Sequence, residues 1–274
     1  MRSVPKLRPW AAAVVLAAAC GGRVHAQQTA DTLTFYRALE LEGAGKYREA
    51  APLFRAALRV GSPVNALLGL ERVYAELGWA DSLLVVVESL VVRHPREETI
   101  RSVQLRTLQA LGRDVDIERA VDRWAKQSPG DPAPYREHAR LLLQRGRATA
   151  AAEVIERARQ TVGTAKDLEL EVAQVRAAMG QWESSAEAWR AALARAPYLE
   201  QAAVYALVPT PAARRDSVRR IFLAPPVNPA ARLALAGLEA SWGSPREGWL
   251  ALRELRVDSL SAVAWLEFGE RAER

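Results

Sequence analysis

Gly45-Lys46-Tyr47-Arg48-Glu49-Ala50-Ala51-Pro52-Leu53-Phe54-Arg55-Ala56-Ala57-Leu58 is the stretch on which the fold turns. It opens on a glycine and continues with apolar residues at helical spacing. The glycine recurs in the same setting at Gly45, Gly78, Gly112, Gly146 and Gly180, with spacings of 33, 34, 34 and 34 residues. Seventeen residues after each glycine stands a proline or turn residue: Ser62-Pro63, Pro95, Pro129, Gly163 and Pro197. Glycine supplies the positive φ that ends a helix, and proline blocks continuation of the next. Each unit therefore reads helix–turn–helix–turn.

Side-chain size follows the same register. Small residues stand at Ala38, Ala139 and Ala173, where first helices approach, with the larger Glu71 and Leu105 as exceptions. They recur at Ala50, Ala151 and Ser185, where the two helices of a unit cross. Bulky knobs follow at Phe54, Val87, Val121, Ile155 and Trp189. Small against large at fixed spacing lets one helix pair stack on the next.

These residues resemble the tetratricopeptide repeat. Gly45, Tyr47, Ala50, Phe54, Ala57 and Leu58 match the family's second-helix pattern, as do Gly180, Trp182, Ser185, Trp189, Ala192, Leu193 and Pro197. The resemblance covers roughly residues 31–198. The third unit departs most, with Asp114 for the aromatic and Ile117 for the small residue. It implies an all-α, right-handed superhelical solenoid of about six to seven helix–turn–helix repeats with a C-terminal capping helix. Repeats one to five and the start of the sixth occupy 27–208. A sixth glycine is due at position 214, where Arg214 stands, so 209–228 is expected to be an irregular, proline-rich unit with a kink. Residues 229–274 supply a further repeat and the cap, Ser261 to Glu273.

The N-terminus reads as a processing segment, residues 1–26. Arg2, Lys6 and Arg8 form a basic region, Trp10 to Ala19 an apolar one, and Val24-His25-Ala26 suits cleavage before Gln27. Ten apolar residues span about 15 Å as a helix, half the hydrocarbon core, and no later stretch is long enough for a transmembrane span. Export to the periplasm or cell envelope is the expectation. Ala17-Ala18-Ala19-Cys20-Gly21 also resembles a lipobox, so lipidation on Cys20 stays open as an alternative.

Of the 38 basic residues of the 274, only Lys6, Lys46, Lys126 and Lys166 are lysine. The formal charge of +6 falls to +2 without residues 1–26, which gives little reason to invoke nucleic acid. His25, His94 and His138 are scattered, and no metal spacing, phosphate loop or nucleophile elbow occurs, so no enzyme, metal or cofactor is expected. Carboxylates such as Glu97-Glu98 and Glu169 with Glu171 read as solvated helix faces. Trp182 and Trp189 read as core. Trp242 and Trp249, also seven apart, fit either core or a ligand platform. Arg214, Arg215, Arg219 and Arg220 form a basic cluster, either a solvated face or a surface for an acidic partner or lipid.

By resemblance, a groove lined by first helices receives a peptide or helix from a partner protein. Arg72, Arg106 and Arg140 each lie six residues before a repeat glycine, a position that faces this groove in the family, and Arg136 lies one turn before Arg140. A ladder of guanidiniums suits an acidic peptide or a chain terminus. The expectation is a non-catalytic interaction scaffold of the bacterial envelope; the alternative is a lipoprotein with a structural assembly role.

Overall fold

The structure, a computed structural model, describes residues 33–59, 63–163 and 168–255, together with 262, 265, 266 and 268–270. The expected signal segment and Cys20 lie outside them. Every regular element among the described residues is helical. Helix α1 covers 33–43, followed by α2 (Tyr47–Ala57), α3 (Pro63–Leu77), α4 (Ala80–Arg93), α5 (Glu98–Ala110) and α6 (Asp114–Gln127). Next come α7 (Ala133–Gln144), α8 (Ala148–Val162), α9 (Glu169–Ala178), α10 (Trp182–Arg195), α11 (Glu200–Leu207), α12 (Ala212–Leu223), α13 (Pro229–Ser241) and α14 (Pro245–Leu252). Odd-numbered helices are the first of each pair and even-numbered ones the second.

The repeat glycines do what their spacing requires. Gly45, Gly78, Gly112, Gly146 and Gly180 have φ between 69° and 72°, the left-handed conformation in which a Cβ is penalised. Each closes a first helix with the same pair of hydrogen bonds. Gly45 N–H donates to the Glu42 carbonyl (2.9 Å) and Lys46 N–H to the Leu41 carbonyl (2.8 Å); Gly112 with Arg113 and Gly180 with Gln181 repeat this. The two bonds satisfy carbonyls that the helix end would leave bare. Gly243 (φ 77°) with Ser244 closes α13 in the same way.

The chain falls into two compact units, up to Ile117 and from Glu118. The division cuts α6, the second helix of the repeat that departs most from the pattern. In the first unit, Phe54 is fully buried among Ala38, Leu67, Leu70 and Val87, with Phe35 edge-on at 5.9 Å. Gly69 makes room for it, since a Cβ there would lie 2.3 Å from the ring. In the second unit Trp189 is fully buried among Ala173, Leu193, Leu207 and Phe222. The buried Ser185 hydroxyl donates to the Ala173 carbonyl (2.8 Å), tying α10 to α9. Val87, Val121 and Ile155 are also buried.

Where the sixth glycine is missing, the turn is made differently. Helix α11 is eight residues long, entered through a 3-10 turn at Pro197–Leu199. Pro209-Thr210-Pro211 then stops the chain, and the buried Thr210 hydroxyl donates to the Leu207 carbonyl (2.6 Å). Arg190 of α10 holds the next connection, donating to the carbonyls of Ala224 and Pro226, each at 2.6 Å. The Asn228 side chain donates to the Arg190 carbonyl and accepts from Ala231 N–H, capping α13 with Pro229 at its first position. At the C-terminus, 262, 265, 266 and 268–270 are helical, and Phe268 packs on Ala236, Leu252 and Leu255.

Candidate functional site

The four arginines expected to face a partner all sit on first helices, but their guanidiniums have acids of their own. In the first unit Arg72 of α3 forks onto Glu42 of α1, with Nε–Oε1 at 2.5 Å and Nη2–Oε2 at 2.8 Å. Arg106 of α5 forks onto Glu71 of α3 at 2.7 Å through both atoms. Each arginine thus reaches back to the preceding first helix. The two acids are not register-equivalent: Glu42 lies three residues before its glycine, and Glu71 seven before its own. That is one helical turn apart, a difference a long arginine spans. Glu71, an exception among the small residues in its register, is thereby accounted for. The Glu42 hydrogen bond is the main cause that raises the Arg72 pKa.

The second unit uses another arrangement. Arg140 bonds Glu137 on its own helix. Arg136 approaches Glu171 of the following first helix, α9, at 3.8 Å, an ion pair too long for a hydrogen bond. The Nε atoms of Arg136 and Arg140 are buried with no hydrogen-bond partner. Glu171 is only 7% exposed, not the solvated carboxylate its sequence setting suggests. Burial raises its pKa, against its backbone hydrogen bond and Arg136, while Glu137 adds to the rise. Glu169 pairs with Arg195.

Some arginine and tyrosine side chains nevertheless stay open to solvent on this side of the repeats. Arg72 keeps 55% of its side chain exposed with Nε and Nη2 engaged. On α11 and the 3-10 turn before it, Tyr198 and Tyr205 are 83% and 87% exposed, while Ala203, Val204 and Leu207 face the core. The sequence reading missed these tyrosines; their seven-residue spacing was the available signal.

The tryptophan and arginine clusters near the C-terminus come together. Trp242 is half-buried; its indole N–H donates to the Val208 carbonyl (3.0 Å), and the guanidiniums of Arg215 and Arg219 lie 5.0 and 5.8 Å from its ring. Arg219 also forks onto Glu239 (2.5 and 2.8 Å), whose side chain is 1% exposed. That bond is the chief reason the Arg219 pKa is raised. Arg214 pairs with Glu183 and Arg220 with Ser217. Trp242 is therefore packed under cations, whereas Trp249 stays 45% exposed, edge-on to Trp265. His138 is buried, with Nδ1 unpartnered, and burial lowers its pKa. No group of His, Cys, Asp and Glu suited to a metal ion, and no helix long and apolar enough to cross a membrane, occurs among the described residues.

No protein-family model matches the chain, and no curated protein does. Among the solved structures similar to it are two repeat proteins. A thermophilic tetratricopeptide repeat protein of Thermus thermophilus is 20% identical, with 65% of this chain and 99% of that one covered and a TM-score of 0.43. A tetratricopeptide repeat protein from Parabacteroides merdae is 12% identical, with 89% and 99% covered and a TM-score of 0.40. At these values neither bears on function, and the repeat stands on its glycine turns and buried knobs. The chain is an all-α, tetratricopeptide-like repeat of helix pairs.

Proposed function

We propose that the chain is a non-catalytic interaction scaffold of the bacterial cell envelope, which takes a segment of a partner protein on the outer faces of its first helices. The observation that carries this reading is the make-up of those faces. In the second unit half-exposed arginines (Arg136, Arg140) and the almost fully exposed Tyr205 stand on them, with the equally exposed Tyr198 on the 3-10 turn that leads into α11. Arginine and tyrosine are the residue types that most often anchor interfaces. The built-in acids refine the acidic-partner expectation. With Glu42 already on Arg72, a partner carboxylate there meets a nearly neutral pair, so hydrogen bonding to the remaining donor edge outweighs net charge.

The placement in the envelope rests on the basic and apolar N-terminal segment and the Val24-His25-Ala26 site. Attachment through Cys20 is the second reading, carried by Ala19-Cys20-Gly21; label from a fatty-acid analogue on Cys20 supports it, and its absence removes it. The test of the scaffold is affinity capture from an envelope fraction. A partner held by wild type should be held about tenfold less well by Tyr198→Ala/Tyr205→Ala and by Arg136→Gln/Arg140→Gln, with helicity unchanged. Equal capture by both variants overturns the reading.

A further inference from the structure

Arg72 and Arg106 bring their own acids, yet three arginines at the second helices of the first unit do not. Between the second helices α2 and α4 lies a cleft of about 560 Å³, within the size range of ligand sites. Arg55 of α2, Arg59 in the turn just past its end and Arg93 of α4 line it, and no acidic residue does among the described residues. Among those residues the guanidiniums of Arg55 and Arg59 have no hydrogen-bond or ion-pair partner, and Arg93 bonds only its own helix, at Ser89. Leu58 at the helix end keeps helical φ and ψ, so Arg59 follows Arg55 by about one turn and the two guanidiniums are placed to share one anion. Between the arginines the walls are apolar: Pro52, Leu58 and Val85, the last 70% exposed.

We propose that this cleft is a second binding site, which takes the end of a partner polypeptide where an aliphatic residue carries a free carboxylate beside an acidic side chain. Three uncompensated guanidiniums call for more than one negative charge, and their fork matches carboxylate geometry. An inorganic anion would leave most of the volume to water and Val85 uncovered. A bilayer presents a flat face, which cannot enter a concavity between two helices, whereas a chain end protrudes into it. The site is separate from the first-helix faces of the proposed scaffold and does not depend on them.

The test is fluorescence polarisation of the full chain with a fluorescein-labelled Gly-Glu-Asp-Leu-Leu peptide bearing a free C-terminus. Saturable binding is expected, weakened at least tenfold by Arg55→Gln/Arg59→Gln and by amidating the peptide, and little changed by Arg72→Gln/Arg106→Gln. Added salt should weaken it too. Circular dichroism confirms that each variant keeps its helicity, and Val85→Asp, outside the arginine set, should independently lower affinity. No saturable binding, or binding indifferent to Arg55 and Arg59, overturns the proposal. So does equal loss in Arg72→Gln/Arg106→Gln, which puts the peptide on the first helices. Arginine-dependent flotation with phosphatidylglycerol vesicles, without peptide binding, makes the cleft a lipid site and overturns it as well.

Discussion

Phe54 shows how one side chain ties two repeats. It leaves α2, fills the space above Gly69 of α3, and has no exposed surface. Phe54→Ala should cost about 3–5 kcal/mol, because the rigid wall around the ring cannot collapse into the void. His138 makes the pH case. Burial depresses its pKa below the usual 6.5, while Glu118 and Asp122 oppose the shift and Arg147 and Arg157 add to it. The unfolded chain therefore binds the proton more readily than the folded one. Stability from this residue is complete above about pH 6.5 and is lost as pH falls through that value toward the depressed pKa. Urea midpoints taken from pH 7.5 to 5 should fall for wild type and fall less for His138→Gln; parallel curves would show that His138 does not titrate this way. His138 lies on the first helix α7, but its burial depends on neighbours that no local pattern names.

At the scale of elements, the glycine turns and the knobs were legible because each is a local rule repeated at fixed spacing. Gly45, Gly78, Gly112, Gly146 and Gly180 all take positive φ, and Phe54, Val87, Val121, Ile155 and Trp189 are all buried. The charged pairs were not legible. Arg106 finds Glu71 across 35 positions and Arg219 finds Glu239 across 20, and a carboxylate on a helix looks the same whether its cation comes from solvent or from the next element. Glu171 therefore reads as surface and turns out buried, and Glu239 is buried as well. The Arg219–Glu239 fork binds α12 to α13 in the stretch without a repeat glycine. Arg219→Ala would strand a buried carboxylate, at a cost of about 3 kcal/mol, whereas Arg220→Ala, which removes only a bond to Ser217, should change little. Thermal midpoints compare the two, and equal effects would mean that Glu239 is solvated in the absence of Arg219.

For the whole molecule, contacts between neighbouring repeats imply that damage stays local. Hydrogen exchange of Phe54→Ala should rise in α1 to α4 and remain at wild-type levels in α13 and α14; a uniform rise would mean that the chain unfolds as one cooperative block. The face offered to the proposed partner follows from packing at α11, where Ala203, Val204 and Leu207 are held in the core and Tyr205 is left outside. Hydroxyl-radical footprinting tests this most directly, as it reads side-chain exposure with and without a captured partner. Tyr198 and Tyr205 should oxidise readily in the free chain and be shielded when the partner is added, while the buried Trp189 stays protected in both states. Unchanged oxidation of both tyrosines on a partner-saturated chain would contradict the account.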